Sequence, residues 1–345
     1  MSTIKDVARL ANVGVGTVSR VISGKGPASA DAVARVLDAV SVLDFKPSRS
    51  ARALASKTTG MLGVFVTEFS GHFFGPILLA VDRELRAVDR HMVAATGCGQ
   101  GDARHLAHDG IEFLLERECD GILMFSNELY EDELLALHKR CPRLAVMNRT
   151  AKGMERDCFS VDHVLAGRLA ARALLEMGHR EIAVISGRRT ASDNEDRLRG
   201  FDAELALHGL RVNDALREDG DFSFASGEAA MQKLLAKGPP FTAVFACNDL
   251  MAMAAIGALQ QAGLRVPREV SVIGYDDTDF GAYMLPRLTT VCIPTRDVAS
   301  HATRHLINRC YGKSLPVVRK FEPSLVWRDS VGAGPHSPLR SRTGT

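Results

Sequence analysis

From Met61 onward, short apolar runs alternate with stretches whose apolar residues recur every three or four positions. The runs are Met61–Thr67, His91–Thr96, Gly121–Ser126, Leu144–Asn148, Glu181–Gly187, Thr242–Asn248 and Val270–Asp276. Helical patterns separate most of them, as at Val164–Met177, Leu198–Leu207, Ala229–Leu235 and Leu250–Ala262. A run that is apolar throughout is buried on both faces. Buried strands alternating with helices predict parallel sheets of the α/β class. Two series of runs predict two lobes, with a boundary near Cys158. Two later runs, Leu288–Ile293 and Val317–Trp327, are expected to complete the sheets by crossing back between the lobes near Thr289 and Phe321.

The first 46 residues have a different texture, that of three short helices. Thr3 followed by Asp6 is a capping-box-like start, and Ile4, Val7, Ala8 and Ala11 form an apolar stripe. Asn12 suits a left-handed turn. A second helix is predicted from about Val15 to Ser23, stopping at Gly24. Ser29 can cap a third, with Val33, Val36, Leu37, Val40 and Leu43 on one face. Pro47 ends that unit. Residues 47–60, "PSRSARALASKTTG", are small, basic and weakly helical, with Leu54 as the one large apolar residue. Residues 61–331 form the two-lobed body, and 332–345 read as a disordered tail.

Charge sharpens this division. The whole chain is near neutral at +2. Residues 1–60, however, hold nine Lys or Arg against four Asp, which leaves 34 basic and 37 acidic residues beyond them. A basic head on a faintly acidic body suggests a polyanion as partner of the head. A helix, a tight turn and a second helix match the spacing that projects one helix into the DNA major groove. A three-helix packing unit without DNA fits the periodicity as well. The basic excess and the residues of the second helix favour DNA: Thr17 and Ser19 can reach phosphates, and Arg20 can pair with guanine O6 and N7. Seven cysteines, scattered and never spaced as C-x-x-C, read as reduced thiols. His301 and His305 read as surface histidines. No run of about 18 apolar residues predicts a membrane span, and "MSTIKDVARL" is no secretory signal, so a cytoplasmic protein is expected.

The stretch "TIKDVARLANVGVGTVSRVISGK", Thr3 to Lys25, followed by "ARALAS", resembles the head and hinge of the lactose/galactose repressor family, most of all its galactose-repressor branch. The similarity runs to about Val331, through "FFG", "GHREIAVISG", "EDRLRGF", "TAVFACNDLMA", "VSVIGYDD", "PRLTTV" and "PSLVWRDSV" in family order. The resemblance implies a helix-turn-helix head and a two-lobed body like that of periplasmic sugar-binding proteins. It implies that the positions of Val15, Gly16 and Arg20 touch base edges, and that residues 47–60 fold into a hinge helix on DNA. A leucine at position 54 then wedges into the minor groove. Lys5 and Arg52 join the DNA-binding candidates. Family members carry Ser or Thr where this chain has Gly14 and a side chain where it has Gly16. Either Gly16 shifts base preference or the position is tolerant; the residues alone leave both open. Ser48 replaces the usual Asn of the hinge.

Open α/β sheets bind ligands at the carboxyl ends of their strands. Asn148 and Arg149 end one run, Asn248 and Asp276 end two others, and Arg197 stands in an R-x-x-G-F motif at a helix start. By resemblance these five match effector-contacting positions, and Phe73, Phe74 and Phe222 match apolar or stacking ones. Carboxylate, amide and guanidinium groups grip vicinal hydroxyls, and aromatic faces cover the C–H face of a sugar. Taken singly each could be structural, with Asp276 a loop cap, Arg197 one half of a salt bridge and the phenylalanines core, but their joint placement favours a site. Gly71-His72 stands where sugar-binding relatives often have Asp or Asn before "FF", which leaves the sugar open. "TGCGQGDAR" mimics a dinucleotide loop, but its glycine spacing does not fit G-x-G-x-x-G and reads as a turn. No catalytic set is found, and no cofactor or metal is expected. The expected protein is a cytoplasmic homodimeric transcription regulator that binds operator DNA and a small carbohydrate effector. A periplasmic binding protein or an NAD-linked enzyme would explain the body or the glycine loop, but not the head.

Overall fold

A computed structural model describes residues 2–23, 26–45, 58–69, 73–237 and 240–336. The chain forms two compact units, Met1–Gly60 and Met61–Thr345. In the first unit, helices α1 (Ile4–Leu10), α2 (Val15–Ser23) and α3 (Ala30–Val42) enclose Val7, Ala8, Ala11, Val18, Val36, Ala39 and Phe45. Local chemistry sets the ends. Thr3 and Asp6 close a reciprocal capping box that satisfies two otherwise free N–H donors. Asn12 sits at φ 50° and ends α1, and the Ser29 hydroxyl accepts from Ala32 N. One expectation fails: Leu37 is 56 % exposed, because the buried stripe of α3 runs through Ala32, Val36 and Ala39.

The second unit begins with a five-stranded sheet in the order β2-β1-β3-β4-β5, parallel throughout. Its strands are β1 (Met61–Val66), β2 (His91–Thr96), β3 (Gly121–Phe125), β4 (Leu144–Met147) and β5 (Cys158–Phe159). Helices α4 (Phe74–Arg86), α5 (Ala103–Glu116) and α6 (Glu131–Arg140) alternate with the first four. The glycine loop after β2 leads into α5, and the Asp102 carboxylate accepts from His105 N. A side-chain anion therefore occupies the helix N-terminus that a dinucleotide pyrophosphate would need.

The other lobe is a six-stranded sheet, order β11-β10-β9-β8-β6-β7. It comprises β6 (Ile182–Ser186), β7 (Arg217–Asp219), β8 (Ala243–Ala246), β9 (Ser271–Asp276), β10 (Thr289–Cys292) and β11 (Ser324–Val326). Only the β10–β11 pair is antiparallel. Helices α7 (His163–Glu176), α8 (Ser192–Leu207), α9 (Phe224–Lys237) and α10 (Asp249–Gln261) flank it, whereas α11 (Thr295–Tyr311) packs on α4 and β4 of the first lobe. The chain therefore crosses between lobes after β5, after β10 and after α11. An isolated bridge, Val161 with Phe321, ties two of these crossings together. Both late runs add their strands to the second sheet and neither to the first, because the crossing is made by α11 rather than by a strand.

Two further expectations are corrected. Residues 332–336 are not free: Gly332 N donates to Ser271 Oγ, Gly334 N to Met177 O and His336 N to Gly178 O. His305 is not a surface residue. Its Nε2 lies 2.6 Å from Asp157 Oδ1, in a cluster with His138 and Arg309, while Nδ1 of His301 accepts from Val318 N. Among the described residues no group of three or more His, Cys, Asp or Glu could hold a metal ion.

Candidate functional site

The face of α2 that turns away from the head core consists of Val15, Gly16, Ser19 and Arg20, all exposed. Val18 is fully buried on the opposite face. Helical spacing explains the grouping, since positions i, i+1, i+4 and i+5 share one side. Gly14 precedes the helix and its carbonyl accepts from Thr17 N and Val18 N. A Cβ at Gly16 would meet no atom within 4 Å, so nothing in the head requires glycine there. The Arg20 guanidinium folds back along the helix, with Nε on Gly16 O and Nη2 on Thr17 Oγ1. Lys5 is exposed on α1. Arg52, Leu54, Gly71 and His72 lie outside the described residues, as do Pro47 and Ser48.

In the body, the carboxyl ends of the two sheets face each other across a cleft. Asp193, which the residue pattern did not single out, lies at the centre of that meeting. It is buried in the first turn of α8. Its Oδ1 accepts from Asn127 Nδ2 at 2.9 Å and its Oδ2 from Asn148 Nδ2 at 2.8 Å, both donors belonging to the first lobe. Arg197, one turn on in the same helix, donates Nη2 to Oδ2 as well. Arg188 reaches Glu128 of the first lobe at 3.4 Å. Asn127 and Asp193 are loop and first-turn residues after β3 and β6, where a polar residue in a polar, aperiodic segment gives no pattern to detect.

Arg197 is 2 % exposed and donates also to the carbonyls of Asp193 and Cys247. Its guanidinium lies 4.0 Å from the Tyr275 ring centroid and 5.5 Å from that of Phe222. Burial works against its charge, but Asp193, Tyr275 and Asp276 more than offset this and hold its pKa above the usual range. It stands in the second turn of α8, not at its start, because the helix begins at Ser192. The R-x-x-G-F glycine explains the placement. A Cβ at Gly200 would lie 1.9 Å from Val164 O, and one at Gly167 1.9 Å from Arg197 O. The two glycines let α7 and α8 touch backbone to backbone, which carries Arg197 under the cleft. Opposite, Tyr275 Oη is 2.7 Å from His163 Nδ1, while His163 Nε2 is buried without a hydrogen-bond partner. Burial pushes the His163 pKa down to about 4, so the ring is neutral near pH 7.

The remaining candidates divide. Asn248 caps α10 through Met251 N and holds the Phe222 carbonyl, so its amide positions Phe222. Asp276 ends β9 at φ 116°, a backbone conformation that side chains rarely adopt. Burial raises its carboxyl pKa well above the usual range; Arg197 opposes this, and Asp249 and Asp193 add to it. Asp276 and Phe73 share a cavity of ≈ 300 Å³ with Asp277, Thr278, Ile293 and Arg296. Phe73 and Phe74 form an edge-to-face trio with Phe125, centroids 5.1–5.5 Å apart, and Phe74 is core. Arg149 donates to Leu129 O and keeps a buried Nε without a partner. The cavity thus takes in Phe73 and Asp276, while Asn148 and Arg197 meet at Asp193, whose charge also acts on Arg149.

Residues 3–48 match the family described as bacterial regulatory proteins, lacI family, and residues 171–331 match the periplasmic binding protein-like domain. The chain is 37 % identical to the HTH-type transcriptional regulator GalR of Escherichia coli (strain K12) over 332 residues, 96 % of each chain. It belongs to the lacI family of bacterial regulatory proteins. Among solved lacI-family structures it is similar to the lac repressor dimer bound to operator and the anti-inducer ONPF, with a TM-score of 0.85 and 26 % identity over 96 % of this chain and 99 % of that one. It is similar also to the transcriptional regulator CelR in complex with cellobiose, with a TM-score of 0.69 and 32 % identity over 96 % and 100 %. A lacI-family chain with this head and body is a helix-turn-helix transcription regulator. Among the described residues no helix is long and apolar enough to cross a membrane.

Proposed function

We propose that this chain is a cytoplasmic, homodimeric repressor that performs no catalysis. Its head reads a two-fold operator, and a small uncharged carbohydrate held between the lobes changes its grip on DNA. The observation that carries the reading is the exposed quartet Val15, Gly16, Ser19 and Arg20 on α2, joined in one chain to a body whose strand ends meet across a polar cleft. Lys5, Thr17 and Ser19 serve phosphates, Val15 and Arg20 serve base edges, and Arg52 and Leu54 serve the minor groove. Phe73, Asn148, Arg149, Arg197, Phe222, Asn248 and Asp276 surround the effector, with Phe74 behind Phe73. The mechanism is a population shift: ligand favours one arrangement of the lobes, and DNA favours the other. Two-fold operators need two-fold readers. Tyr283 and Leu285, 87 % and 83 % exposed within one short segment, offer apolar surface for a second copy.

The test is sequence selection on random DNA with the purified chain, followed by anisotropy titrations of the selected site with D-galactose, D-ribose and cellobiose. Selection of a pseudo-palindrome that one of the sugars weakens or strengthens supports the reading. No selected motif overturns it. The Gly16→Ala variant is expected to change base preference at one or two positions per half-site, because the new methyl has open space around it and projects from the DNA-facing side. It is also expected to stabilise the head by up to about 1 kcal/mol, the difference in helix propensity. Identical selected motifs for the two proteins would make Gly16 a tolerant position. Asp276→Asn is expected to lower effector affinity at least about ten-fold while ligand-free operator binding holds, since one charge-assisted hydrogen bond contributes roughly 1.5–3 kcal/mol. Calorimetric titration of the sugar identified above measures it.

A further inference from the structure

We infer that Asp193 is the residue that joins the lobes and positions the effector-contacting side chains, so that the cleft is set before ligand arrives. The inference rests on the reading above that Asn148 and Arg197 face the effector, and it adds a residue which that reading does not contain. Asp193 is buried, yet both of its carboxylate oxygens are in use, and the donors come from both sides of the cleft. Asn127 and Asn148 follow β3 and β4 of the first lobe, and Arg197 lies one turn along α8 of the second. A carboxylate is the one side chain of this size with two oxygens that accept and nothing that donates. An amide in its place would turn an N–H toward one of three donors. Asn148 and Arg197 keep further N–H groups beyond those given to Asp193, because the primary amide nitrogen and each guanidinium Nη carry two hydrogens. They can hold Asp193 and a ligand hydroxyl together.

The neighbouring contacts extend the same seam. Ser192 Oγ lies 3.5 Å from Asn127 Oδ1, and Arg188 pairs with Glu128. Inside the second lobe the Asn194 side chain accepts from Gly187 N at 2.8 Å, which ties the loop carrying Arg188 to the first turn of α8, where Asp193 stands. The loop 126–129 and the segment 187–193, a loop and the first residues of α8, are thus joined by side-chain contacts. A seam made of a few side-chain bonds can open as a unit, which suits a body that has to adopt two arrangements. Pre-set donors also bind more tightly, because less side-chain freedom is lost when ligand arrives.

Hydrogen exchange of the full ligand-free chain tests the seam without any effector. Asn127→Ala removes only a first-lobe donor and leaves the Asp193–Arg197 pair intact. It is expected to raise exchange at least three-fold in peptides covering 187–193, in the opposite lobe, as well as in 126–129. Asp193→Asn is expected to do the same and to weaken binding of whichever of D-galactose, D-ribose and cellobiose binds the parent by ten-fold or more. A role confined to the stability of one lobe would leave the other lobe's peptides unmoved in Asn127→Ala, and that result overturns the inference. So does loosened exchange with unchanged sugar affinity in Asp193→Asn. If the parent binds none of the three sugars, the carbohydrate reading falls, and the exchange of Asn127→Ala still decides whether Asp193 joins the lobes.

Discussion

A chain lacking residues 1–60 is expected to lose sequence-specific DNA binding by more than about a thousand-fold, the usual margin between specific and non-specific sites. The physical basis is that the head is a compact unit with a core of its own, and the body is another. The head also holds nine of the 43 basic residues against four of the 41 acidic ones. The body that remains is faintly acidic, with 34 basic against 37 acidic residues. For the full chain, log affinity for the selected operator is expected to fall steeply with log salt, because each neutralised phosphate releases a counterion. The truncated body should unfold cooperatively and keep the parent's sugar affinity. Anisotropy at several salt concentrations measures the first effect, and thermal shift with sugar the second. A truncated body that still selects the operator would place DNA recognition outside the head.

Arg197→Ala is expected to destabilise the body by about 3–5 kcal/mol, the range for breaking a buried ion pair by removing one partner. From the residue pattern alone, the expected variant binds DNA normally and ignores its ligand. The structure changes that expectation. The guanidinium is buried, it is the countercharge of Asp193, and its charge favours the Asp276 carboxylate. Without it, two carboxylates stay in a dry setting. The folded-state pKa of Asp276, already raised by burial, then rises further above the unfolded value, so the stability deficit is greatest near pH 7–8 and shrinks as the pH falls toward the ordinary carboxylate range. Arg197→Lys should lose less, since it keeps a charge but not the planar fork that reaches Asp193 and Cys247 together. Urea unfolding of parent and variants at two pH values measures this. An Arg197→Ala protein as stable as the parent at both would return Arg197 to a purely ligand-contacting role.

The contrast between Arg197 and Asp193 shows how far residue patterns reach. Arg197 was legible because it stands in R-x-x-G-F, and Gly200 in that motif has a visible structural purpose. Its place in the second turn was not, because Ser192–Asp196 is polar and carries no periodic apolar signal, so the helix start could not be seen. Asp193 lies in that silent stretch. Asn127, in the loop after β3, is silent for a similar reason, since loops after strands show composition but not direction. Asn248 was read as a ligand contact, and the structure adds a second role that the pattern did not show: its amide holds Met251 N and the Phe222 carbonyl.

The succession of strands and helices along the chain, the three-helix head, the capping box at Thr3 and Asp6, and the exposed quartet on α2 follow from short-range rules of spacing and burial. Those rules act between neighbours in the chain, so the chain itself carries them. What only the tertiary structure decided is where the cleft closes. Asn127, Asn148 and Asp193 are 66 and 45 residues apart in sequence and 2.8–2.9 Å apart in space. The same holds for α11, which leaves the second sheet to pack on the first lobe, and for the end segment 332–336, which is tied to Gly178 and Ser271. Such pairings depend on how two folded sheets meet. A hydrogen bond between distant polar residues leaves no periodicity behind, because one donor and one acceptor suffice and many positions could supply them.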